Sequence, residues 1–260
     1  MRTRTLPLAV FAALSAHPAL AFTSAAKQSV DQCVPYWQAE NLPQLAEAND
    51  PVAQRCLSLR LENEKDPVAA AQWRGRSARS GDRYAMYDMG LFAGGSGDLA
   101  EAVKWFRAAA AQGLPDAITQ LGAYYSSPSE AGDRLNYKIA VEYLEQAAGM
   151  GDPEAQYRLG SMYFRGRPLT MNYAEAFRYT KMAAESGHAK AAAMLSRLYV
   201  GGKGTPVDER EAYFWLLIAA AKIQGSDEIL DAVRDYLEKR LDAATVAAIQ
   251  DRALRWKPAS

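Results

Sequence analysis

A chain of 260 residues with only two histidines has little material for general acid–base work. His17 lies in an apolar leader, so any Ser–His–Asp or Cys–His triad would have to be built on His188. No Cys or His stands at ligand spacing from His188, and no serine near it sits in a nucleophile-elbow context. It occupies a position where other stretches carry Asp50, Asp82 and Asp152, and reads as a turn residue. Ser24-Ala25-Ala26-Lys27 fits the S-x-x-K pattern of β-lactam-reactive serines, but no SDN or KTG partner accompanies it. Gly95-Ser96-Gly97-Asp98 lacks the preceding strand of a dinucleotide loop, and Asp98 reads as a helix cap. Gly201-Gly202-Lys203-Gly204-Thr205 lacks phosphate-loop spacing. The pairs Glu142/Glu145 and Asp231/Asp235 read as solvated helix faces. No catalytic residue, metal site or cofactor is expected.

Cys33 and Cys56 are the two cysteines. Their redox state follows from the compartment, and the N-terminus points to export. Arg2 and Arg4 precede the apolar run Leu6–Ala16, and Ala19-Leu20-Ala21 offers small residues for cleavage after Ala21. The run is shorter than the roughly 20 residues that span a bilayer, so a cleaved signal is favoured over a membrane anchor. The expected location is periplasmic or secreted, where an even cysteine pair forms a disulfide. Two free thiols are the alternative. Lys+Arg number 30 and Asp+Glu 30, which leaves no charge footprint for nucleic acid or an anionic membrane. Hydrophobic content of 49% places the chain among folded proteins.

The elements that must position these residues repeat. NDPVAQRCLS from Asn49, GDRYAMYDMG from Gly81, GLPDAITQLG from Gly113, GDPEAQYRLG from Gly151 and GHAKAAAMLS from Gly187 align without a gap. Gly or Asn opens each, as at a left-handed helix end. Ala53, Ala85, Ala117, Ala155 and Ala191 precede Leu57, Met89, Leu121, Leu159 and Leu195 by one helical turn. A small residue follows: Ser58, Gly90, Gly122, Gly160 or Ser196. Glycine inside a helix costs about 1 kcal/mol relative to alanine, so close approach of a neighbouring helix is expected there.

A second helix is expected after Asp66, Asp98, Asn136, Asn172 and Asp208, all good N-caps. Glu101, Glu175 and Glu211 stand at capping-box spacing. An aromatic column, Trp73, Trp105, Tyr143, Tyr179 and Trp215, steps by 32, 38, 36 and 36 residues and should fill the gap between hairpins. Residues 22–48 read as an irregular N-terminal cap punctuated by Pro35 and Pro43, with Leu42–Ala48 as a degenerate helix. The five units are 49–80, 81–112, 113–150, 151–186 and 187–225. Residues 226–260 read as C-terminal capping helices, with Asp242 capping the last and Val246, Ile249, Leu254 and Trp256 on its apolar side. The fold class is all-α, an α-solenoid of stacked antiparallel helix hairpins.

The order Leu159-Gly160-x-x-Tyr163, Gly166, then Ala176-x-x-Tyr179-x-x-x-Ala183-Ala184-x-x-Gly187 resembles the Sel1-like repeat, a relative of the tetratricopeptide repeat. The resemblance covers about residues 49–225. It implies a curved superhelix and a non-enzymatic scaffold or adaptor of the bacterial envelope, acting in signalling or in envelope assembly. A few cysteine-rich members are described as β-lactam-active, which implies a β-lactam- or peptidoglycan-active enzyme as the alternative. The expected ligand is a protein partner on the concave face lined by the first helices. Tyr84, Asp88, Gln120, Tyr157, Arg158 and Arg197 are the candidate contacts, off the apolar stripe and of types that carry interface energy.

Overall fold

The structure is a computed structural model and describes residues 24–37, 39–126, 134–223 and 228–259. The expected leader, residues 1–21, lies outside the described residues. The described residues form helices and no strand, and none of these helices is long and apolar enough to cross a membrane. The chain divides into two compact bodies at Tyr124/Tyr125. The N-terminal body holds α1 (Ser24–Cys33), α2 (Leu42–Glu47), α3 (Pro51–Asn63), α4 (Pro67–Arg79), α5 (Arg83–Gly95), α6 (Leu99–Ala111) and most of α7 (Pro115–Ser126). The C-terminal body holds α8 (Arg134–Gly149), α9 (Pro153–Arg165), α10 (Tyr173–Glu185), α11 (Ala189–Gly201), α12 (Glu209–Ala220), α13 (Glu228–Glu238) and α14 (Ala243–Arg255). The pairs α3/α4, α5/α6, α9/α10 and α11/α12 are hairpins, and α4, α8 and α10 also pack on the following first helices α5, α9 and α11.

One turn joins successive hairpins. Asn49, Gly81, Gly113, Gly151 and Gly187 all have positive φ. The amide after each reaches five residues back: Asp82 N–H donates to the Ser77 carbonyl, Asp152 N–H to Ala147 and His188 N–H to Ala183. That is the Schellman arrangement, which satisfies the last carbonyls of the outgoing helix. The same residue then caps the incoming helix. The side chains of Asp50, Asp82, Asp152 and His188 accept from Ala53, Ala85, Ala155 and Ala191 N–H. The short connections inside the first two hairpins use the same geometry, with Lys65 and Gly97 at positive φ.

The small-residue column is where helices meet. A Cβ on Gly160 would stand 2.6 Å from Thr180 Oγ1 and 3.2 Å from the Ala176 carbonyl oxygen. One on Gly90 would stand 2.6 Å from the Phe106 ring. Two members of the aromatic column do a different job from the one expected. Tyr179 stacks on Tyr163 and Tyr143 on Tyr125, with centroids 5.9 and 6.0 Å apart, each within its own hairpin. The contact between successive hairpins is made instead by Phe177 edge-on to Tyr199 at 5.3 Å. Trp215 meets Trp256, which seals the end of the C-terminal core.

Four further expectations are corrected. Residues 24–33 are helical, not irregular. That helix has no apolar stripe to betray it, because its buried face includes Ser29. Asn136 lies inside α8 rather than at its cap, since the helix starts at Arg134 and Leu135 extends it. Glu101, Glu175 and Glu211 close no capping box. The cap amides of Asp98, Asn172 and Asp208 already donate to Ala93, Tyr163 and Tyr199 carbonyls. The freed carboxylates pair with Lys104, Arg178 and Arg252. Asp242 does cap α14, and Ile249 is buried, but Leu254 is 86% exposed because it points away from α12.

Gly160→Ala should gain helix propensity of about 1 kcal/mol yet lose net stability, since overpacking costs about 1–3 kcal/mol. Gly95, with open space around its Cβ position, is the control: Gly95→Ala should be neutral or stabilising. Urea unfolding followed by circular dichroism measures both, and a stabilised Gly160→Ala would refute the close-approach account.

Candidate functional site

In the N-terminal body, the first-helix face is already occupied. Arg55 of α3 is fully buried, its side chain 1% exposed, and pairs with Asp82, 5% exposed, at 3.1 Å. Its guanidinium also donates to the Ser29 carbonyl and hydroxyl and to Gln32 Oε1, and lies 5.1 Å from the centroid of the Tyr84 ring. The Tyr84 hydroxyl donates to Gln28 at 2.9 Å. These contacts hold α1 across α3 and α5. Cys33, at the end of α1, forms a disulfide with Cys56, the residue after Arg55.

Asp88 lies one turn beyond Tyr84 on α5 and is partly buried. Burial pushes its carboxyl up to about 6 from an ordinary 3.8; the nearby Arg74 and Arg55 oppose this and Asp82 adds to it. A carboxylate in such a position is poorly solvated in its charged form.

In the C-terminal body the corresponding face is open. A groove of about 1370 Å³ runs between α8 and α9. Its walls are Tyr137, Lys138, Val141 and Glu142 on α8 and Glu154, Tyr157, Arg158, Ser161, Met162 and Arg165 on α9. Arg167 and Leu169 close one side, and Lys190 of α11 reaches in. Lining charges are five cations, Lys138, Arg158, Arg165, Arg167 and Lys190, against Glu142 and Glu154.

Glu154 is the fixed point of this groove. It lies 2.7 Å from Arg158 Nε and 2.8 Å from His188 Nε2. Burial alone would raise its pKa, but the His188 hydrogen bond and the charges of Arg158 and Lys190 prevail and hold it at about 2. His188 accepts the Ala191 N–H at Nδ1, so Nε2 carries the proton that faces Glu154. Its ring stacks on Tyr157 with centroids 4.8 Å apart. Both ring nitrogens are therefore engaged in structure, and neither is left to activate a nucleophile. Ser24 and Lys27 begin α1, but their side chains lie outside the described residues.

Of the six expected contacts, Tyr157 and Arg158 come together in the groove. Arg197 is exposed on α11 and does not line it, and Gln120 is partly buried on α7 in the other body. Tyr84 is a correction: at 3% exposure it is covered by α1, because its hydroxyl and ring are both used to seat that helix. Sequence reasoning missed Arg55, although one signal was present. Its repeat column holds Tyr87, Thr119, Tyr157 and Ala193 in the other units, so an arginine there is out of place. It also missed Lys138, Arg165, Arg167 and Lys190, which come from four separate segments.

A Sel1 repeat profile matches residues 83–114, 115–152, 153–188 and 189–222, more than half of the chain. Among solved structures, the chain is similar to a protective antigen from uropathogenic Escherichia coli strains that displays an SLR fold. The two share 27% identity and a TM-score of 0.69, over 80% of this chain and 46% of that one. It is also similar to a Sel1 repeat protein from Oxalobacter formigenes, at 24% identity and TM-score 0.64 over 85% and 92% of the two chains. Among curated proteins it is 35% identical over 94 residues to HRD3B of Arabidopsis thaliana, an ERAD-associated E3 ubiquitin-protein ligase component. That match spans 34% of this chain but only 14% of HRD3B.

Two measurements check this geometry. Arg55→Ala leaves Asp82 buried and unpaired and should cost about 3–5 kcal/mol of N-terminal-body stability in denaturant melts. Asp88 has a folded pKa above its unfolded value, so its contribution is full below about 4 and lost as pH rises through about 6. Asp88→Asn should remove that slope and stabilise the protein at pH 8 on the order of 1–3 kcal/mol, read from melts across pH 4 to 8. An unchanged pH profile would show that Asp88 is well solvated.

Proposed function

The chain belongs to the Sel1 repeat family, whose repeats generally mediate protein–protein interaction, and from that premise we propose that it is a non-enzymatic adaptor that holds a protein partner in the groove of its C-terminal body. The observation that carries this is the set of side chains left over in that groove. Among the described residues, Lys138, Arg165, Arg167 and Lys190 line it without an internal ion pair, beside Tyr137 and Tyr157. Tyrosine and arginine are the residue types that dominate interface energies. His188, the sole histidine past the leader, is committed to capping α11 and bonding Glu154, which favours binding over catalysis.

On this reading the adaptor works outside the cytoplasm, in envelope signalling or assembly. The basic, apolar and small-residue order of residues 1–21 supports export, and so does the pairing of Cys33 with Cys56. The hairpin within 49–80 counts as a fifth repeat ahead of the matched four, with 22–48 and 226–260 as its caps.

Tyr157→Ala with Arg158→Ala should leave the helical circular dichroism intact and lower capture of the native partner about tenfold or more. A photo-cross-linking residue in place of exposed Arg167 should trap that partner from the envelope fraction. Unchanged capture by the double variant, with no cross-link from position 167, would overturn the groove as the binding site.

A further inference from the structure

The N-terminal body shows what this repeat face holds when it is filled. Counted from the turn residue, Arg55 and Cys56 are the seventh and eighth positions of their unit, and Tyr84 is the fourth of the next. These three seat α1, a helix, by its Gln28, Ser29, Gln32 and Cys33 side. Those four residues lie at i, i+1, i+4 and i+5, one face of a helix. In the C-terminal body the same positions carry Tyr157 and Arg158 and, in the next unit, Lys190, and they line an open groove together with Glu154.

The two faces differ in charge. Arg55 has its counter-charge in Asp82, so α1 needs to bring only neutral polar groups. In the groove Arg158 is matched by Glu154, but Lys138, Arg165, Arg167 and Lys190 have no ion pair among the described residues. Five lining cations against Glu142 and Glu154 leave the groove net positive, so an occupant that mirrors α1 in form and complements this charge supplies carboxylates where α1 supplies amides and a hydroxyl. We infer that the C-terminal groove takes an acidic α-helical segment of a partner protein, seated on Tyr157 and flanked by Lys138, Arg165, Arg167 and Lys190. This rests on the adaptor reading and names the chemistry of its partner. Charge complementarity of this kind speeds encounter and rejects basic sequences.

The test uses full-length mature protein and fluorescent peptides of roughly 18 residues, about five helical turns. One is a Glu/Ala/Leu helix, one has every Glu replaced by Lys, and one carries a central proline that breaks the helix. The acidic helix should bind at least about tenfold more tightly than either of the others, and its affinity should fall between low and high salt. Lys138→Glu with Arg165→Glu should abolish binding; Lys138 and Arg165 are exposed, and circular dichroism checks the variant's fold. Glu142→Gln removes an acid from the groove wall and should tighten binding about two- to threefold. Equal binding of the acidic and basic peptides, or no effect of the charge reversals, overturns the inference; so does equal affinity for the proline peptide. If peptide preference is absent while the cross-link from position 167 persists, the acidic helix falls and the adaptor role stands. If both are absent, both fall.

Discussion

Everything here depends on how a helix end is closed. The last carbonyls of each second helix must find donors, and the chain supplies them with one left-handed residue followed by an amide that reaches five residues back. The residue bearing that amide has no freedom left in its backbone, and its side chain is aimed at the start of the next helix. Four units use Asp or His at this point to cap that helix. Asp82 and His188 also reach a first-helix side chain. Asp82 accepts from Arg55, and His188 bonds Glu154. A turn required for folding thus places the anchor of each first-helix face, one buried and one open.

The two anchors differ for an electrostatic reason. An arginine removed from water is costly unless its donors are met, and Arg55 is met by a carboxylate, a carbonyl, a hydroxyl and an amide oxygen. Three of those partners come from α1, which also ends in a cysteine whose disulfide ties the helix down over a closure of 23 residues. The arrangement is closed: each charge has its partner within the chain. Around Glu154 it is not. Glu154 balances Arg158 and accepts from His188, and the remaining cations of the groove stay in solvent with their stems along the wall.

What the sequence revealed follows from this division. The turn glycines, the capping aspartates, the alanine and leucine stripe and the glycine column recur because every hairpin meets the same packing demand, so they were legible by alignment of the chain with itself. Gly160 and Gly90 show the demand directly, with no room for one added carbon. The N-terminal helix was illegible because apolar periodicity is the signal that reveals a buried helix, and α1 is held by Ser29, Gln28 and Gln32 instead. Tyr84 was misjudged for the same reason: it lies off the apolar stripe, but the stripe marks only the side facing the hairpin, and a second helix covers the other side.

The groove was hidden for a further reason. Its cations come from α8, α9, the connection after α9 and α11, so no window of sequence contains them together. Nor could the columns reveal them, because a scaffold position recurs while a recognition position must differ from unit to unit. The seventh position makes the point: arginine, tyrosine, threonine, tyrosine and alanine occupy it in turn. The fold buries this column in three units, at Arg55, Tyr87 and Thr119, and leaves it on the groove wall in another, at Tyr157. Arg55 there meets α1, Tyr87 packs on Phe106 of its own hairpin, and Tyr157 opens onto a cationic groove. A column that differs in chemistry and is covered in one unit and open in another carries no periodic signal, so in a repeat protein the open members of such columns are the place to look for the partner.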